Sequence, residues 1–138
     1  MLQRLQSIWL LMAAIFDAIT FKLPFYTGDW NKDKVQAVID LAARTTTVLT
    51  ILTVVTGALA LLTIFLYNNR KLQLKLSYLG VFLTAVLLTM YLIEMGNFST
   101  GSIAIWAIVY FAILVFYLLA IRGIMKDEKL IKSLDRLR

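Results

Sequence analysis

The stretch TTTVLTILTVVTGALALLTIFL, Thr45 to Leu66, runs twenty-two residues without a charge. As an α-helix it extends about 33 Å, enough to cross the ~30 Å hydrocarbon core of a bilayer. Within it Thr46, Thr50, Thr53, Gly57 and Ala60 recur at alternating steps of four and three. That spacing places them on one helix face, and small residues there let neighbouring helices approach closely. The stretch is therefore expected to be the packing hub of a helical membrane bundle, with no chemistry implied by the small face itself.

Composition agrees. The 138 residues are 61% hydrophobic and their mean hydropathy is positive, a profile of membrane spans in one compact domain. Cysteine and histidine are absent and Pro24 is the sole proline. No disulfide framework or thiol nucleophile is available, and the usual ligands of haem, zinc and iron–sulfur clusters are missing, so no metal or cofactor is expected. The net charge of +6 reads first as membrane topology and attraction to anionic lipid, and no nucleic-acid partner is expected.

Outward from the hub, an apolar segment from Leu5 to Phe25 precedes it, expected as a first span of about residues 5–25. It begins like a signal peptide, but Phe16, Asp17 and Ala18 offer no small-residue cleavage site. Pro24 should end that helix. From Tyr26 to Arg44 the chain turns polar, with Gly28 and Asp29 marking a turn and Asn31 or Asp33 available as an N-cap. Val35, Val38, Ile39 and Ala42 fall at i, i+3, i+4 and i+7, which predicts a short amphipathic helix on the membrane surface leading into the second span, 45–66. Asn68, Asn69, Arg70 and Lys71 then form a tight connection. The third span is expected over about 76–93, with Ser77, Gly80 and Thr84 as a second small face packed on the first. Gly96, Asn97, Ser99, Thr100 and Gly101 make a turn before a fourth span over about 102–121, leaving a tail, 122–138. The expected fold is all-α: an integral membrane four-helix bundle with an amphipathic outer segment and a cytoplasmic basic amphipathic C-terminal helix.

Lys and Arg near the span ends set the orientation. Arg4, Arg70, Lys71, Lys75, Arg122, Lys126, Lys129, Lys132, Arg136 and Arg138 fall on one side, against Lys22, Lys32, Lys34 and Arg44 on the other. Both termini are expected to be cytoplasmic. Trp9, Tyr67, Tyr78 and Tyr117 are expected at the inner interface, and Tyr26, Trp30, Tyr91 and Trp106 near the outer one.

Asp17 is the most informative single residue, about 18 Å into the first span at a helical rise. A carboxylate at that depth needs a partner or water, and its Ala13 and Ala14 neighbours turn it toward the bundle. Arg44 could reach it from the outer end of the second span, and Glu94, at the outer end of the third, competes for the same guanidinium. Both pairings fit the sequence, so Asp17, Arg44 and Glu94 form a candidate buried polar cluster. In the tail, Ile124, Leu130, Ile131, Leu134 and Leu137 make an apolar stripe among Lys126, Lys129, Lys132 and Arg136, a pattern suited to contact with the anionic inner leaflet or with a partner.

The two ends carry a resemblance: Met1-Leu2-Gln3-Arg4-Leu5-Gln6 at the start, then Lys126-Asp127-Glu128-Lys129-Leu130, Ser133 and Asp135-Arg136-Leu137-Arg138 at the close. They resemble a family of small four-span bacterial inner-membrane proteins classed as a domain of unknown function. The resemblance implies a bacterial inner membrane and transfers no activity or site. With no nucleophile–base pair, metal cluster or phosphate-cradling glycine loop, an enzyme is not expected. The expected role is a non-enzymatic accessory or scaffold subunit of a membrane complex, with other membrane-protein subunits as partners. The alternative is a small proton-coupled transporter using Asp17, similar in outline to the small multidrug-resistance exporters, although the ten-to-four bias in Lys and Arg should fix one orientation.

Overall fold

The structure is a computed structural model that describes residues 2–30 and 37–136. Four helices, α1 (Leu2–Ile19), α2 (Thr47–Phe65), α3 (Arg70–Met95) and α4 (Ala107–Arg136), are interleaved with strands β1 (Tyr26–Trp30), β2 (Ala37–Leu41) and β3 (Phe98–Ile103). By length and composition, three helical segments are long and apolar enough to cross a membrane: Thr47–Phe65, Arg70–Met95 and Ala107–Leu134. The helices close into a ring, α1 packing on α2 and α4, and α3 likewise on α2 and α4.

Each helix turns one seam inward, stepping by four and three. Buried positions are Gln6, Leu10, Ala13, Asp17 and Thr20 at α1, and Leu49, Thr53, Thr56, Ala60 and Thr63 on α2. On α3 they are Gln73, Ser77, Gly80, Thr84, Leu87 and Tyr91, and on α4 Tyr110, Ile113, Tyr117, Ala120, Ile124 and Asp127. A seven-residue repeat of this kind keeps one stripe of each helix against its neighbours along the whole length of contact. The hydroxyls inside cause little conflict, because most return to their own helix. Thr53 donates to Leu49 O at 2.7 Å, Thr63 to Leu59 O at 2.6 Å, Ser77 to Gln73 O at 2.9 Å and Thr84 to Gly80 O at 2.8 Å. A threonine so bonded acts as a small residue at the interface.

Several expectations are corrected. The fold is not all-α, because the strands form an antiparallel sheet in the order β2-β1-β3. The amphipathic helix expected through Val38, Ile39 and Ala42 is instead strand β2 and the turn after it, paired with β1 from Tyr26↔Leu41 to Trp30↔Ala37. The expected N-caps Asn31 and Asp33, and Val35, lie outside the described residues. The turns expected at Gly28–Asp29 and Ser99–Gly101 are strand interior, with β1 pairing β3 from Tyr26↔Ile103 to Trp30↔Phe98. Gly28 and Gly101 face each other there, and a Cβ on Gly101 would lie 2.6 Å from Thr27 O and 2.7 Å from Gly28 Cα. Glycine is needed for strand contact, not for a turn. Side chains bind the same ladder, Thr27 donating to Asp40 Oδ1 at 2.9 Å and Thr100 to Asp29 Oδ2 at 2.8 Å. Pairing with β1, which β3 flanks from about seventy residues further along the chain, overrides a local spacing that fits a helix equally well.

Helix α1 stops at Ile19, short of Phe25, and unwinds through turns in which Lys22 N donates to Ile19 O and Leu23 N to the same oxygen. The freed Phe25 then enters the interior, its backbone joining Leu41 O and Ala104 N. The fourth helix begins at Ala107, since Ser102 and Ile103 belong to β3. The C-terminal segment is not a separate surface helix but the continuation of α4, because no residue after Ile121 breaks it. Gly123 lies against Gln6, whose amide donates to the buried Asp127 and so fastens this extension to the start of α1.

Candidate functional site

Asp17 lies where the four seams meet, only 3% exposed. Leu10, Ala13 and Ala14 precede it at i−7, i−4 and i−3 and are buried with it, so its position on the inner face follows from the helical repeat of α1. Opposite it, Gly57 of α2 leaves the space the carboxyl occupies: a Cβ on Gly57 would stand 2.6 Å from Asp17 Oδ2. The other carboxyl oxygen, Oδ1, is buried and meets no hydrogen-bond donor among the described residues.

Three tyrosines, Tyr91, Tyr110 and Tyr117, are buried in the same interior. Tyr117 donates to Thr56 O at 2.8 Å and lies against Gly80, which has no room for a side chain. Tyr110 donates to Thr20 O at 3.2 Å and Leu23 O at 2.7 Å, tying α4 to the unwound end of α1. Tyr91 and Tyr110 meet edge to face with centroids 4.8 Å apart, and Phe25 packs on both. The Tyr91 hydroxyl is buried and, like Asp17 Oδ1, lacks a hydrogen-bond partner among the described residues. The site therefore gathers an acid without a cationic partner, three phenols and the threonine-lined face of α2. Its chemical capacity is that of a lone carboxyl, which can take up one proton or a small cation.

The structure does not bring the expected polar cluster together. Arg44 is exposed and lines a cleft of about 600 Å³ beside Trp30, Asp40 and Thr45 at the sheet end. Glu94 is half-buried at the end of α3 and accepts from Asn97 Nδ2 at 2.8 Å. Neither pairs with Asp17, and the one ion pair among the described residues joins Lys132 to Glu128. On the small face, Thr53 and Ala60 are buried, whereas Thr46, Thr50 and Gly57 are half-buried. The buried seam of α2 thus runs through Leu49, Thr56 and Thr63, rotated from the face expected. Lys126, Lys129 and Lys132 are exposed on the extension of α4, and the Arg136 side chain lies outside the described residues.

Tyr91 and Tyr117, expected at the membrane interfaces, are instead core residues. Their spacing could have shown it, since Tyr91 continues the Ser77, Gly80, Thr84 series and Tyr117 stands seven residues from both Tyr110 and Ile124. Gln6 and Asp127 are legible by the same repeat.

Fold and site together define a mostly helical protein of four helices packed in a ring, with Asp17 buried between them without a cationic partner among the described residues, and a small antiparallel sheet at one end. The chain belongs to the family described as a domain of unknown function (DUF4293), matched over residues 2–137. No curated protein and no solved structure matches it.

Proposed function

We propose that the chain is an integral protein of the bacterial inner membrane, crossing it four times with both termini cytoplasmic, and that it serves as a non-enzymatic accessory subunit of a membrane complex. The observation that carries this reading is an inverted distribution of polarity. Gln6, Asp17, Thr53, Thr56, Gln73, Ser77 and Thr84 are buried, while Ile8, Leu11, Ile51, Val54, Leu62, Phe65 and Phe82 are exposed. In water such a surface would be an aggregation liability; against lipid it needs no cover. The apolar part of helix α1, Leu5–Ile19, extends about 22 Å and completes the set when flanking residues reach the interface. The excess of Lys and Arg supports cytoplasmic termini.

The accessory role is supported by where the clefts and the free surfaces lie. Two clefts among the described residues lie at opposite ends, and neither is lined by Asp17. The sheet projects beyond the helices with β2 and β3 as its outer strands, and β3 is exposed at every position after Phe98. Such strands offer pairing edges to a second protein. Purification from the native membrane in mild detergent should therefore recover a stoichiometric partner, and single cysteines at Ser102 and Ser133 should be labelled by an impermeant reagent from outside only at 102. Purification as a lone chain would remove the accessory reading, and labelling at 133 in intact cells would reverse the topology.

One observation favours a second reading, proton-coupled transport: Asp17 Oδ1 is buried with no hydrogen-bond partner among the described residues. Proton flux in proteoliposomes that Asp17→Asn abolishes, with folding intact, would put transport first.

A further inference from the structure

At the end of the bundle away from the sheet, a cleft of about 570 Å³ separates the α2–α3 turn from the C-terminal part of α4. Among the described residues Arg70 and Lys71 from the first turn of α3 and Lys132 from α4 line it, against one acid, Glu128. Lys132 Nζ stands 2.8 Å from Glu128 Oε1. That contact, with Lys71 nearby, holds the Glu128 carboxyl below its ordinary range, so the acid is ionised and its charge is already engaged. Among the described residues three cations against one anion line the cleft and make it positive.

Arg70 is where that charge goes unanswered. Its Nη1 is buried and meets no acceptor among the described residues. A guanidinium cannot shed its charge, and a buried donor without an acceptor is destabilising, so the position favours an oxyanion supplied from outside the chain. The N-terminal end of α3 opens at the same place and adds its positive dipole. The cleft also has an apolar margin: Ile131 lines it, and Leu130 and Leu134 are exposed beside it. Above the turn, Phe65 is among the most exposed apolar side chains. An anionic head beside an apolar wall matches an oxyanion that carries acyl chains.

We propose that this cleft binds a phosphate group, supplied by the headgroup of an anionic phospholipid in the adjoining leaflet. Arg70 supplies the planar fork that suits a phosphate, Lys71 and Lys132 the surrounding charge, and Ile131 the surface along which the chains leave. The lipid as source rests on the membrane reading above; the phosphate chemistry rests on the cleft.

The test uses the full chain in mild detergent, with native mass spectrometry to measure retention of phosphatidylglycerol. Phosphatidylcholine of the same chain length and inorganic phosphate form the other arms. The parent should retain phosphatidylglycerol in preference to phosphatidylcholine, with affinity about tenfold weaker in Arg70→Gln and in Lys71→Gln. A Lys75→Gln, Arg122→Gln double variant, whose exposed cations do not line the cleft, should bind as the parent does. Lys71 is exposed, so Lys71→Gln keeps the test decisive if Arg70→Gln fails to fold. Equal retention by the parent and both cleft variants would overturn the site, as would an equal loss in the Lys75→Gln, Arg122→Gln variant. Inorganic phosphate binding without preference for either lipid would overturn the lipid as its source. A chain that sediments with membranes yet binds no phosphatidylglycerol loses this site and keeps the membrane reading; recovery in the aqueous fraction removes that reading instead.

Discussion

The interior has two halves that are filled by different means. Near the start of α1 its buried residues are Leu10, Ala13, Ala14, Ala60, Ile113, Tyr117 and Ala120, alanines around one buried ring, with Trp9, Phe16 and Phe116 packed against them from the periphery. Toward the sheet it is built from Phe25, Leu41, Leu49, Leu87, Tyr91, Ala107 and Tyr110, with Tyr26, Trp30 and Phe98 packed against it. The first half relies on close backbone approach, which small residues permit and which gives packing without a hydrophobic drive from water. The second relies on side-chain volume, with rings meeting edge to face beneath a sheet that needs a filled floor. Asp17, against Gly57, stands between the two halves. The difference teaches that one bundle can be intolerant of added volume at one level and of lost volume at the next.

The largest expected effect tests the ring-filled half. Phe25 is 1% exposed and packs on Tyr91 and Tyr110, so Phe25→Ala should cost about 3–5 kcal/mol through a cavity under the sheet. Thermal unfolding in detergent would show it, and a shift no larger than that of Leu61→Ala, an exposed position, would break the comparison.

Next comes the small-residue half, where Gly57→Leu drives a side chain into the Asp17 carboxyl and should cost about 1–3 kcal/mol. Here Asp17→Ala in the same chain should recover part of the loss by vacating that space. No recovery would mean that the collision lies elsewhere on α2.

The smallest change is Tyr117→Phe, which keeps the ring against Gly80 but removes the 2.8 Å bond to Thr56 O. A loss of about 1 kcal/mol is expected, since the Thr56 carbonyl retains its place in the helix. A loss as large as that of Gly57→Leu would show that the hydroxyl, more than the ring, holds α4 to α2.

Much of the candidate site was legible in the sequence. Asp17 announces itself as a lone acid in an apolar run, and the spacing of Ala13 and Ala14 beside it is enough to turn it inward. Ser77, Gly80 and Thr84 are buried as their spacing requires. That the acid stands without a cationic partner among the described residues was not legible, because Arg44 is a suitable mate in sequence and only the turn after β2 leaves it exposed at the sheet end. Nor were the tyrosines, since tyrosine suits both a membrane interface and a core whose polar tip finds a carbonyl, and only packing decides between them.

The sequence by itself determined the four main helices and the inward position of Asp17 and of Ser77, Gly80 and Thr84, because apolar run length and the 3.6-residue repeat are properties of a single segment. Tertiary structure alone decided the sheet. Val38 and Ile39 fit a helix face and a strand equally, and the choice was made by hydrogen-bonding partners on β1, itself sandwiched by a strand some seventy residues later in the chain. It also decided which face of α2 is buried, since a helix lined with threonines all round offers several small faces, and the arrival of Asp17 and Tyr117 selects the one used.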